Sequence, residues 1–153
     1  MRKLILAFLF IAIGFAGCKS QQKIPAVPVQ PIPRATAELS ETHWTLIELM
    51  GKPVVLSENN KKEIYIVLRK DGSSVQGFSG CNTIMGKYEI KEGNRIAFSA
   101  MASTMMACPD LATESEFNKM LGTVDNYSIN DNTMTLNKAK MAPMARFEAV
   151  VIK

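Results

Sequence analysis

Between residues 63 and 78 the chain alternates with a period of two across a turn signal, and this feature restricts the fold most. Ile64, Ile66 and Leu68 project to one side of an extended segment, and Tyr65, Val67 and Arg69 to the other. That is the period of a strand and not of a helix. Asp71-Gly72 supplies a hairpin turn, and residues 73–78 form the partner strand, softened by Gly77. The same grammar recurs along the chain. Residues 43–49 read as a first strand, and residues 86–91 run through Glu92-Gly93-Asn94 into residues 95–99. Residues 127–129 and 133–137 flank Asn130-Asp131-Asn132, and residues 146–152 read as a closing strand. Short strands parted by turn residues predict a β-rich domain.

One helix stands out against this background. Thr113 and Glu116 have the spacing of a capping box, in which each side chain satisfies a backbone donor at a helix start. Phe117, Met120, Leu121 and Val124 follow as one apolar stripe. Gly122 weakens or ends the last turn. The spacing predicts a helix over 113–123, packed across the sheet with its stripe in the core. The fold class is therefore α+β and β-rich, a small antiparallel sheet with one packed helix.

The N-terminal segment has a different character. Arg2 and Lys3 precede an uncharged apolar run over residues 4–16, which ends at Phe15-Ala16-Gly17-Cys18. The run is too short for a transmembrane helix, which needs about 20 apolar residues. Small residues directly before a cysteine resemble a bacterial lipoprotein signal peptide. The resemblance implies cleavage after residue 17, with Cys18 joined to diacylglycerol and acylated as the new N-terminus. A plain secretory signal is the alternative, and it leaves the cysteine at the boundary unexplained. Residues 1–17 are thus the signal peptide, 18–39 the lipidated cysteine and tether, and 40–153 the domain. Pro25, Pro28, Pro31 and Pro33 interrupt helix and central strand alike, so the tether is an extended spacer. Lys19 follows the cysteine where an aspartate would suggest inner-membrane retention, and Ser20-Gln21-Gln22 carry no acidic cluster. The expected location is an outer-membrane lipid anchor with the domain facing the periplasm.

Charge narrows the partners. The formal net charge of +4 belongs to the leader and tether, because from Ser40 onward 13 Lys/Arg balance 13 Asp/Glu. A neutral domain has no basic footprint for nucleic acid. The expected partners are the membrane, through Cys18, and an envelope protein or a hydrophobic ligand.

Two segments carry motifs. Gly80-Cys81-Asn82 is followed by Gly86-Lys87-Tyr88, and further on stands Thr104-Met105-Met106-Ala107-Cys108. With Trp44, Leu46 and Gly51 near the start, and Phe117 and Leu121 in the helix, these resemble the META domain family, also called the HslJ-type heat-shock-protein family. The resemblance covers residues 40–152. It implies a small β-rich α+β fold, an incompletely closed barrel with a helix against it, together with envelope and stress-tolerance roles and no established enzymatic activity. Gly80, Cys81, Asn82, Thr104 and Cys108 are the family-motif positions.

Once Cys18 is lipidated, Cys81 and Cys108 remain, an even pair in an oxidising compartment. A disulfide between them is expected, with two buried thiols as the alternative. Gly80 and Asn82 both suit positive φ, so Gly80-Cys81-Asn82 reads as a strand-ending turn that aims Cys81 at its partner. Thr104 is expected to bond the backbone of the opposite segment. No catalytic residue is assigned: His43 is the only histidine, and nothing in the sequence brings it to either cysteine to activate a thiol. No cofactor or metal is assigned. Nine methionines remain after Met1, and Met101, Met105, Met106, Met141 and Met144 raise soft-metal (copper) binding as a lower-ranked alternative to core filling. The leading expectation is a binding or scaffold lipoprotein in envelope maintenance. Its rival is a carrier of an acyl chain or small hydrophobic ligand in an open barrel mouth.

Overall fold

Side chains one residue apart point to opposite faces of a strand, so each alternating segment needs an apolar partner surface on one side only. A barrel supplies that surface and leaves no edge. In a computed structural model, residues 36–55, 62–109 and 111–150 are described. The expectations for the signal peptide, for Cys18, for tether residues 19–35 and for residues 151–152 lie outside them. The elements are β1 (His43–Leu49), β2 (Lys52–Pro53), β3 (Tyr65–Arg69), β4 (Ser74–Phe78), β5 (Thr83–Lys91), β6 (Arg95–Phe98) and β7 (Ala102–Ser103). They continue with α1 (Ala112–Leu121), β8 (Asn126–Asn130), β9 (Thr133–Asn137) and β10 (Ala145–Val150).

Eight of the strands form a closed antiparallel ring in the order β1-β3-β4-β5-β6-β8-β9-β10 and back to β1, with β2 and β7 paired outside it. Closure is where structure and sequence reading differ. The first and last long strands pair from His43↔Val150 to Leu49↔Ala145, across a register shift between Leu46 and Glu48. The resemblance implies an incompletely closed barrel, and pairing of the chain ends leaves no local sequence signal that would have corrected it. The thinnest seam is β6–β8, whose ladder holds the single pair Arg95↔Asn126. It is reinforced by Tyr127 N–H to Asn94 O at 3.0 Å and by the Arg95–Asp125 ion pair at 3.4 Å.

The core follows the predicted faces. Ile64, Ile66 and Leu68 are buried, as are Trp44 and Leu46 on β1, Met134 and Leu136 on β9, and Phe147 on β10. The Trp44 indole N–H donates to Leu39 O at 2.9 Å, so a fully buried polar handle is satisfied. Helix α1 inserts Phe117, Met120 and Leu121, with Val124 just beyond it, into the same cluster. Phe117 meets Phe147 edge-on at 6.3 Å. The helix ends at Gly122, but its start differs from expectation. The N-cap position is Leu111 and no side chain caps it. Thr113 and Glu116 therefore stand inside the helix, two residues out of register for a capping box, and both are exposed. Residues 83–85 also extend β5 beyond the expected start, because they pair with β4 on one side and β7 on the other.

Gly77 of β4 lies opposite Ile66, where a Cβ would run into the carbonyl oxygen of Tyr65 and the Ile66 side chain. Backbone cannot yield as a flexible side chain does. Gly77→Ala should therefore cost about 1–3 kcal/mol in denaturant unfolding, whereas Val55→Ala at an exposed site should stay within about 0.5 kcal/mol. Equal effects would remove this account of the glycine.

Candidate functional site

The motif residues converge at the turn between β4 and β5, against the first turn of α1 and the segment after β7. Gly80 takes φ 115°, a backbone state that side chains disfavour, and so lets the chain reverse. Ser79 is fully buried and holds the turn shut: its hydroxyl and its N–H both donate to Asn82 O, at 3.0 and 2.9 Å. This presents the N–H groups of Cys81 and Asn82 to one carboxylate oxygen, Glu114 Oε2, at 3.1 and 2.9 Å.

Asn82 is buried and uses its whole amide. Its Nδ2 donates to Glu114 Oε1 at 2.8 Å. Its Oδ1 accepts from the Thr104 hydroxyl at 2.8 Å and from Met106 N–H at 2.7 Å. Thr104 in turn accepts from Thr83 N–H at 3.2 Å and donates its own N–H to Thr83 O at 3.1 Å. Three segments distant in sequence thus meet at one side chain, with both of its ends satisfied. Cys81 is buried, and its Cα lies 6.1 Å from that of Cys108, with the sulfurs at disulfide distance.

Glu114 is the member that sequence reading missed. Burial disfavours its charge, but hydrogen bonds from the Asn82 side chain, the Asn82 backbone and the Cys81 backbone outweigh that, and its carboxyl is held below the usual range. It also sits in the first turn of α1, where a negative charge meets the positive end of the helix dipole. The available signal was an acidic residue in that first turn, which the capping-box reading assigned to Glu116 instead. Asn82 needs a second correction. It is absent from the positive-φ positions, so it is required for its amide and not for turn geometry. Thr104 bonds the opposite backbone, as expected.

The other candidates are elsewhere. His43 stacks on Tyr65 at 4.2 Å and bonds Glu63 at 3.2 Å on the outer face. Core filling describes Met120 and Met134, with Met101 and Met144 packed at the margin, but Met105, Met106 and Met141 are exposed. The segment after β7 runs over the surface, so its thioethers face water. No cluster of three or more His, Cys, Asp or Glu suited to a metal occurs among the described residues. A polar groove of about 740 Å³ crosses the outside of β8, β9 and β10, lined by Ser128, Thr135, Asn137, Arg146 and Glu148 among others. The Ser128 and Thr135 hydroxyls bond each other across it at 2.6 Å.

The family model for the META domain matches residues 37–151, which span the entire barrel and the clamp that Asn82, Thr104, Glu114 and the Cys81–Cys108 pair make at the β4–β5 turn. The chain belongs to the META domain family. A solved structure of a protein from Burkholderia xenovorans is similar at TM-score 0.60 and 24% identity, covering 82% of this chain and 100% of that one. A DUF4847 family protein from Bacteroides vulgatus is similar at TM-score 0.51 and 13% identity, covering 72% and 93%. At such identities these likenesses concern the fold of the META domain alone. No curated protein matches the chain.

Asn82→Ala removes the donor to Glu114 Oε1 and the acceptor of both the Thr104 hydroxyl and Met106 N–H, and should cost the META domain roughly 2–4 kcal/mol in denaturant unfolding. The Glu114 pKa is lowered on folding, so its contribution is complete above the ordinary glutamate value of about 4.3 and fades as pH falls through it toward the folded value. Glu114→Gln should accordingly flatten the acid side of the stability profile; an unchanged acid limb would contradict the assignment. Intact mass should show the Cys81–Cys108 bond in unreduced protein, and reduction should lower stability by roughly 3.5 kcal/mol for a loop of this length. Two free thiols in native protein would overturn it.

Proposed function

We propose that this protein is a membrane-anchored envelope lipoprotein whose non-catalytic META domain binds or scaffolds other envelope components, in maintenance or stress tolerance. The observation that carries the reading is that the motif residues are spent on one another. Asn82, Thr104, Glu114 and the turn backbone satisfy each other's hydrogen bonds, and Cys81 faces Cys108. A nucleophile or general base must keep a reactive atom available to substrate, and this constellation keeps none. Its work is to hold three segments together.

The rival carrier reading loses support from the interior. Trp44, Phe117, Phe147, Ile66, Leu68 and Met120 occupy the barrel, each almost completely buried, where an acyl chain would need open space. The copper reading loses support from the cysteines, since a bonded pair offers no thiolate, and from the methionines, which sit in unlike settings. Met101 Sδ lies against Gly86, whereas Met105 is fully exposed. The surface remains for recognition, and the polar groove on β8–β10 is one concave part of it.

The anchor in this proposal rests on the Ala16-Gly17-Cys18 pattern and the apolar run before it. Cys18→Ala should abolish acylation and release or mislocalise the protein while the META domain still folds, read by membrane fractionation with protease shaving of intact cells. Firm membrane binding of that variant, or digestion of the wild-type domain from outside intact cells, would contradict the placement. Crosslinking in envelopes should capture a stoichiometric protein partner. Copurified lipid in native mass spectrometry would instead favour the carrier.

A further inference from the structure

Methionine is normally a buried, gap-filling side chain. Here five thioethers among the described residues stand largely in water: Met105 is 100% exposed, Met141 67%, Met85 and Met106 56%, and Met50 45%. Met120 and Met134, by contrast, are 1% and 0% exposed. The described methionines thus include five exposed and two fully buried thioethers, with Met101 and Met144 partly buried between them.

We propose that the exposed methionines are a reversible oxidation site, a surface sink for two-electron oxidants of the peroxide class. Each reaction is balanced within the pair of reactants. A sulfur lone pair attacks one peroxide oxygen, the O–O bond breaks as the S–O bond forms, and the proton passes to the departing oxygen, which leaves as water. Sulfur is oxidised by two electrons to the sulfoxide and the peroxide is reduced by two. Access decides which sulfurs react first. The outcome for the fold is decided by how their backbone is held.

Met105 and Met106 show that second point most clearly. Their segment is fixed by groups other than their side chains: Met106 N–H donates to Asn82 Oδ1, Thr104 N–H to Thr83 O, and Cys108 lies at disulfide distance from Cys81. The thioethers project from a strap whose anchors contain no oxidisable thioether. At Met105 a sulfoxide is a polar group placed in water with no packing to lose, and at Met106 it falls on a side chain more than half exposed. The same change at Met120 or Met134 would put a polar oxygen into the core beside Phe117, Leu121, Leu136 and Phe147. The sink is therefore separable from the fold. It is also independent of anchoring, because it depends only on exposure and on the clamp.

The test is peptide mapping of the purified full-length protein in detergent during graded hydrogen peroxide treatment, with thermal unfolding recorded on the same samples. Met105, Met106, Met141, Met85 and Met50 should oxidise at least about tenfold faster than Met120 and Met134, at an unchanged unfolding midpoint. Methionine sulfoxide reductases of both epimer specificities, supplied with a dithiol that is oxidised to a disulfide as the sulfoxide oxygen leaves as water, should restore the original methionine masses. Replacing Met105, Met106 and Met141 by leucine should lower peroxide consumption by three of the five early equivalents without moving the midpoint. Similar rates at exposed and buried sites, unfolding with the first oxidations, or failure of the reductases to reverse them would overturn the proposal.

Discussion

One buried amide, that of Asn82, holds together parts of the chain that hydrophobic pairing alone would leave apart. The β4–β5 turn, the strap after β7 and the start of α1 share little apolar surface at this point, yet their backbone donors must be satisfied once water is excluded. Asn82 answers on both of its ends, taking Thr104 and Met106 at its oxygen and giving to Glu114 at its nitrogen. Glu114 completes the arrangement by receiving the two turn N–H groups. A network of this kind stabilises only when every member is paired, and a single missing partner makes it a liability. The sulfur pair adds a restraint between two of the same three segments, so the covalent and polar ties act on one corner of the molecule.

The remainder of the barrel depends on that corner through the helix. Glu114 and Phe117 lie one turn apart on α1, one tied to the turn and the other fully buried against Phe147. The position of the polar tie thus sets where the apolar stripe enters the core. Around the ring, β1 and β10 pair along most of their lengths, whereas β6 and β8 share one ladder pair. Asp125 supports that weak seam by accepting from Ala139 N–H at 2.7 Å and pairing with Arg95. Polar contacts therefore stand where the strand ladders are thinnest.

The strands were legible because period-two alternation and turn residues are local signals: β1 and β9 have the expected bounds, and the faces of β3 are as read from Ile64, Ile66 and Leu68. Ring closure was not legible, since His43↔Val150 joins positions more than a hundred residues apart and no residue type announces such a pairing. Within the clamp, Cys81, Asn82 and Thr104 were visible as motif positions, but the reason for Asn82 was not. Its turn propensity is a property of the residue, whereas its four bonded neighbours are a property of the tertiary structure. Glu114 stayed hidden for a similar reason, because helix register decides which acidic residue faces the turn. Met105 and Met106 illustrate the opposite failure: composition suggested core, and a surface path for the backbone overruled it.

Amide hydrogen exchange at Cys81, Asn82 and Met106 tests the central claim most directly. These three N–H groups lie in a turn and a strap, where exchange is ordinarily fast, and their acceptors are side chains, Glu114 and Asn82. If the clamp is cooperative with the core, they should exchange only with global opening, at the rates of amides such as Leu136 on β9. Exchange at loop rates while β9 stays protected would show that the clamp opens on its own and does not hold the barrel together.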